Sequence, residues 1–161
     1  MTTTKYTAHW TLQALAQAGV KTIVFSPGSR NAPLVIAAEA LGSFTLEVLG
    51  DERSAAFNAL GRSLVTGAPV AVCCTSGSAL ANYYPAVLEA YYAHIPLIVL
   101  SADRPEERIN KGEGQTCVQR DIYEPHVAAS VHIEDDASAS EGVSQLDFAL
   151  RAQQVEMSPI H

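Results

Sequence analysis

The chain is short of the residues that most often announce a function. Its 161 residues include three cysteines, one tryptophan, and only 10 lysines and arginines against 17 aspartates and glutamates. The cysteines are odd in number and form no Cys-x-x-Cys pair, and no histidine pair stands at ligand spacing, so neither a disulfide framework nor a zinc site is indicated. The deficit of positive charge leaves a formal net charge of −7 and a pI near 5.1. That balance argues against nucleic acid or an anionic membrane surface as the main partner. Long apolar runs are missing too. Asn82, Pro85, Glu89 and His94 interrupt the longest one, and Met1-Thr2-Thr3-Thr4-Lys5 lacks the basic-then-apolar plan of a signal peptide. The expected setting is the cytoplasm, without stable membrane insertion, and small metabolites or other protein surfaces remain as partners. No Gly-x-Gly-x-x-Gly or Walker loop is present, and Gly-x-Ser-x-Gly fails because Cys74 and Ser78 stand where its glycines belong. Dinucleotide binding, nucleoside triphosphate binding and serine hydrolysis thereby lose their usual support.

What is present is the balance of a globular domain with a real core, at 48% hydrophobic and 17% charged residues. Apolar runs predict strands over residues 21–25, 44–49, 70–74, 97–101 and 130–133. Helical spacing predicts helices over 8–19, 32–41, 54–65, 79–92 and 143–153, with Gly19 as a C-cap. Strands and helices alternate, and the strands are almost wholly apolar. That pattern predicts a doubly wound α/β domain, a parallel sheet with helices on both faces. Cys73 and Cys74, adjacent in one strand, should point to opposite faces of the sheet as reduced core residues. Glu134-Asp135-Asp136 and the Ala/Ser run after it read as a solvated loop. Ser158-Pro159-Ile160-His161 resembles the first residues of another strand, so the chain is expected to be a fragment of a longer polypeptide, cut inside its fold.

In open α/β sheets, ligands bind beyond the carboxyl ends of the strands, and right-handed crossovers bring those loops to one edge. After the first strand, Ser26-Pro27-Gly28-Ser29-Arg30 combines turn chemistry, a possible N-cap at Ser29, and a helix N-terminus beside Arg30. A carboxylate or phosphate would be stabilised there, although a plain βα turn with a surface arginine has the same sequence. After the second strand, Glu52 opens a helix walled by Ala55, Ala56, Phe57, Ala59 and Leu60. The helix dipole favours an acid there whatever its role, but a glutamate against apolar walls has a raised pKa and can exchange a proton with a ring nitrogen. After the third, Thr75-Ser76-Gly77-Ser78 reads either as a turn whose small residues admit a flat ring or as a simple N-cap. After the fourth come Asp103, Arg104 and then Gln115; Arg104 could pair with Asp103 or clamp a carboxylate in bidentate fashion. The five histidines, His94 and His126 among them, receive no role.

Taken in order, Ser26-Pro27-Gly28-Ser29-Arg30, Asp51-Glu52-Arg53, Thr75-Ser76-Gly77-Ser78-Ala79 and Ala102-Asp103-Arg104-Pro105 resemble the N-terminal, pyrimidine-binding domain of one thiamine-diphosphate enzyme family. It is the 2-succinyl-5-enolpyruvyl-6-hydroxy-3-cyclohexene-1-carboxylate synthases of menaquinone biosynthesis. The resemblance runs from Trp10 to His161. It implies a transferase in which thiamine diphosphate attacks 2-oxoglutarate, carbon dioxide leaves, and the carbanion adds to isochorismate. It also implies that Glu52 is the catalytic acid, hydrogen-bonded to the aminopyrimidine nitrogen N1′. Ser29, Arg30, Arg104 and Gln115 would contact substrate carboxylates or hydroxyls, while Thr75, Ser76 and Gly77 pack near the pyrimidine.

Members of that family are far longer, and Mg²⁺ and the diphosphate are held by a C-terminal domain of a partner subunit. The resemblance therefore implies a homodimer or homotetramer, an exposed apolar patch on one face of this domain, and an isolated fragment that is catalytically inert. Another thiamine-dependent decarboxylase or synthase, for which Arg30 and Arg104 are harder to explain, and a non-catalytic α/β assembly module are the alternatives. A Glu52 side chain pointing into bulk water would remove the thiamine reading.

Overall fold

The computed structural model describes residues 6–133 and Ser144. In chain order the elements are α1 (Tyr6–Gln17), β1 (Thr22–Phe25), α2 (Ala32–Leu41), β2 (Thr45–Val48), α3 (Glu52–Thr66), β3 (Val70–Cys74), α4 (Ser78–Asn82), α5 (Tyr84–Tyr92) and β4 (Leu97–Ser101), followed by a short 3-10 turn at Glu106–Arg108. The four strands form one sheet in the order β2-β1-β3-β4, and every pairing is parallel. All four carboxyl ends consequently share one edge.

Side-chain alternation along the strands divides the interior into two cores. Val24, Val70, Val72 and Cys74 pack under α3, α4 and α5 with Ala55, Ala59, Leu80, Tyr83 and Val87. Ile23, Phe25, Ala71 and Cys73 pack under α1 and α2 with Leu12, Leu15, Ala37 and Ala38. Helices thus cover both faces, which makes the domain doubly wound, and the adjacent cysteines do face opposite cores. Among the described residues, no helix is long and apolar enough to cross a membrane.

Burial governs thiol chemistry here. It pushes the Cys74 thiol up to about 12, with the nearby Glu52 charge adding to the rise, and it raises Cys73 as well. Cys117 is only partly buried, and its thiol is raised more by that burial than by the Asp103 charge. Native-state alkylation is therefore expected to modify Cys117 slowly and to reach Cys73 and Cys74 only in denaturant. Mass-resolved labelling with iodoacetamide measures this; fast labelling of either strand cysteine in the native state would contradict the packing.

Helix boundaries follow local chemistry. Ser29 does not cap α2: Asn31 occupies that position, without a side-chain capping bond, ahead of Pro33 in the first turn. Two residues of loop thus separate the Ser29 hydroxyl from the helix start. Helix α3 begins two residues earlier than residue 54, because Asp51 caps it by accepting the Ser54 N–H at 2.8 Å. The single helix predicted over 79–92 is two, α4 and α5, meeting at Tyr83. Pro85 explains the break, since it has no N–H to donate to Ala81 and its ring crowds that carbonyl.

Residues 130–133 are not a strand. The local alternation is real, because Val131 and Ile133 are half-buried while Ser130 and His132 are exposed. A strand also needs a ladder partner, which an alternating pattern does not supply. The helix expected over 143–153, the loop at 134–140 and the strand start at 158–161 lie outside the described residues, apart from Ser144, which is helical.

Candidate active site

The loop after β1 is built into the end of β3. Ser26 N–H donates to the Cys73 carbonyl at 2.8 Å, and the Ser26 carbonyl accepts from the Asn31 side chain at 2.8 Å. The Tyr83 hydroxyl donates to Ser26 Oγ at 2.9 Å. Gly28 lies so close to Thr75 that a Cβ there would stand 2.4 Å from the Thr75 Cβ. Glycine is therefore required by contact between the first and third loops rather than by an unusual φ. Ser29 and Arg30, beyond this anchored stretch, are exposed.

Glu52 is the first residue of α3 and is half-buried. One carboxylate oxygen receives the Asn82 side-chain N–H at 3.4 Å. Glu52 at the start of α3 and Cys74 at the end of β3 both lie at the carboxyl end of the sheet. Thr75, Ser76 and Gly77 are buried, and Gly77 has φ +87°, a left-handed conformation that suits glycine. The Thr75 hydroxyl is buried with no hydrogen-bond partner among the described residues. A buried hydroxyl of this kind costs free energy unless something satisfies it.

Asp103 and Arg104 do not form an ion pair; the Asp103 carboxylate accepts the Arg104 backbone N–H at 2.7 Å. Burial raises the Asp103 carboxyl above its ordinary value, opposed by that hydrogen bond and by the charges of His132 and Arg120. The Arg104 guanidinium donates to the Gly114 carbonyl at 3.4 Å, and its Nε is buried without a partner among the described residues. Gln115 is exposed, but its carbonyl accepts the Ser76 hydroxyl at 2.8 Å.

The expected residues therefore fall into two groups at one sheet edge. Ser29, Arg30 and Arg104 line one end of an open groove of about 1220 Å³ that continues along β4. Glu52, Thr75, Ser76, Gly77 and Gln115 do not line it; they sit at the ends of β2 and β3 and in the segment folded over them. Much of the groove runs along β4, which pairs only with β3 among the described residues. Among the described residues, no three histidines, cysteines or carboxylates are grouped to hold a metal.

Sequence reasoning missed Gln119. This side chain is buried, and its carboxamide accepts the Gly77 N–H at 2.7 Å and donates to the Ala102 carbonyl at 3.1 Å. It also missed Asn31, whose fully buried side chain donates to Ser26 and approaches Cys73 Sγ at 3.9 Å. A glutamine in a loop carries no periodic signal. Asn31, directly before the apolar helix run, could have been found as the alternative cap to Ser29.

Residues 5–124 match the family described as thiamine pyrophosphate enzyme, N-terminal TPP binding domain. The chain is 46% identical over 143 residues to the 2-succinyl-5-enolpyruvyl-6-hydroxy-3-cyclohexene-1-carboxylate synthase of Flavobacterium johnsoniae, an overlap of 89% of this chain and 26% of that protein. It is 56% identical over 117 residues to the synthase of the same description from Cytophaga hutchinsonii, covering 73% and 21% respectively. The benzoylformate decarboxylase structure from Polynucleobacter necessarius superposes with a TM-score of 0.67 at 25% identity, over 81% of this chain and 24% of that one. The chain thus spans about a quarter of the length of the curated relatives it matches. On the fold, the composition of the rim and the family match together, this chain belongs to the thiamine pyrophosphate enzymes, through their N-terminal TPP-binding domain.

Proposed function

We propose that this chain is the pyrimidine-binding domain, residues 1–161, of a synthase that decarboxylates 2-oxoglutarate and adds the succinyl unit to isochorismate in menaquinone biosynthesis. The observation that carries the reading is the half-buried Glu52 at the N-terminus of α3, beside the end of β3, in a chain 44–56% identical to synthases of that description. The residues present fit the cofactor. Glu52 engages Asn82 through one carboxylate oxygen only, the Thr75 hydroxyl is buried and unsatisfied among the described residues, and Gly28 and Gly77 keep the loop surfaces small.

Thiamine diphosphate, when bound with Mg²⁺, supplies the electron sink that decarboxylation of a 2-oxo acid requires. Glu52 would hold or release a proton at the aminopyrimidine ring nitrogen, as a positioned carboxyl group can. Thr75, Ser76 and Gly77 offer a flat, buried backbone surface against the ring. Ser29, Arg30 and Arg104, with Gln115, orient carboxylates and hydroxyls of the two substrates; the arginines do so through planar, charge-assisted forks.

The diphosphate and the metal are assigned to a C-terminal domain contributed by a second subunit of a homodimer or homotetramer. In support, α3 exposes Phe57, Leu64 and Val65 along its length and Val48 at the end of β2 is also exposed, apolar side chains that a second subunit would cover.

The test is to produce the protein together with the segments that complete the relatives' length and assay it with thiamine diphosphate and Mg²⁺. Product is expected only when 2-oxoglutarate and isochorismate are both present. The 161-residue chain alone is expected to give no turnover and no saturable heat on titration with cofactor and Mg²⁺. Turnover of a 2-oxo acid without isochorismate would instead indicate a different thiamine-dependent decarboxylase, and tight cofactor binding by this chain alone would refute the divided site.

A further inference from the structure

Gln119 is 6% exposed, in a segment that contains neither helix nor strand. Both ends of its carboxamide are used. Gly77, which donates to Oε1, closes the turn after β3, and Ala102, which accepts from Nε2, is the first residue beyond β4. The β3–β4 ladder pairs residues up to Cys74 and Ser101, and the Ala102 N–H then donates to the Cys74 carbonyl at 3.1 Å. Beyond that bond, the Gln119 side chain links the two loops through Gly77 and Ala102.

The same segment presses on the turn elsewhere. Gln115 Cα would lie 2.9 Å from a Cβ at Gly77, and Arg104, near Ala102 in sequence, bonds the Gly114 carbonyl. We propose that Gln119 is a positioning residue for the reaction: acting as a side-chain rung between Gly77 and Ala102, it holds the 75–77 turn and the Arg104 loop in one register. This rests on the cofactor-domain reading given above.

The side chain must accept from one partner and donate to the other, which an amide of this length does in its single neutral form. Leucine leaves the Gly77 N–H and the Ala102 carbonyl unpaired. Glutamate keeps the first bond, but when ionised it places an oxygen against the Ala102 carbonyl; when protonated it can donate there and restore the second bond. Burial beside a carbonyl raises the pKa of that glutamate. Its function should therefore be better at low pH and decline as the pH rises through that value.

The experiment has two arms. In the 161-residue chain, amide hydrogen exchange at Gly77 is expected to accelerate by about tenfold or more in Gln119→Leu while the β3 amide of Val72 is unchanged. In the full-length protein, Gln119→Leu is expected to raise KM for 2-oxoglutarate by about 10- to 100-fold, the scale of a misplaced substrate contact. For Gln119→Glu, the ratio of variant to wild-type kcat/KM is expected to fall as the pH is raised from about 6 to about 8, a signature that general loss of stability does not produce. Unaltered Gly77 exchange, a KM within twofold of wild type, or a pH-independent ratio overturns the proposal. If Gln119→Leu does not fold, the Gln119→Glu profile decides alone. Full activity of Glu52→Gln in the same preparation would sink the cofactor reading instead, and the Gly77 exchange result would stand apart from it.

Discussion

Glu52→Gln in the full-length protein is expected to lower kcat by about 10²- to 10⁴-fold, the range for removing a positioned acid or base. Shape and hydrogen-bonding length are preserved, so only the ability to hold and release a proton is lost. The helix itself should tolerate the change. Asp51, not Glu52, caps α3 through the Ser54 N–H, and loss of the charge at Glu52 removes a dipole interaction of about 0.3–1 kcal/mol. Steady-state kinetics paired with thermal unfolding separates the two effects. A normal kcat would take the proton-handling role away from Glu52 and favour a non-catalytic module; a fall in kcat with a nearly constant Tm is the expected pattern.

Tyr83→Ala is expected to destabilise the fold by about 3–5 kcal/mol, as for other large aromatic truncations in a core. Tyr83 is fully buried at the α4–α5 junction and packs in the core beneath both helices. Its hydroxyl ties that junction to Ser26 in the loop after β1, so Tyr83→Phe should cost less, about 0.5–1.5 kcal/mol, by removing the hydrogen bond while keeping the ring. Urea denaturation of both variants measures the difference. Since the whole domain is held by about 5–15 kcal/mol, the alanine variant should be visibly less stable, and equal midpoints for the two variants would show that the ring's packing is not what matters.

Much of the architecture was legible because parallel buried strands announce themselves. The runs at 70–74 and 97–101 coincide with β3 and β4, and those at 21–25 and 44–49 exceed β1 and β2 only at their ends. Uninterrupted apolar runs leave little ambiguity when both faces are covered. The failures occurred where local pattern and long-range partner part company. Residues 130–133 alternate as a strand does yet have no ladder, and Pro85 divides a helix whose apolar spacing continues through it. The loop residues of the rim were found by topology, since a doubly wound sheet gathers its carboxyl ends at one edge. Gln119 was invisible for the opposite reason: its importance comes from two backbone groups distant in sequence, and nothing in its neighbours marks it.

Strand order has a consequence for biosynthesis. β1 lies between β2 and β3, yet α2, β2 and α3 are all translated before β3 emerges to occupy its second side. On the ribosome, one edge of β1, with Val24 and Phe25, must wait for a neighbour while its apolar side chains are already committed to two nascent cores. Pairing of this non-local kind is slow and leaves collapsed intermediates open to self-association. Synthesis rate and chaperone supply, more than final stability, should therefore govern how much of this polypeptide is recovered from an overproducing cell.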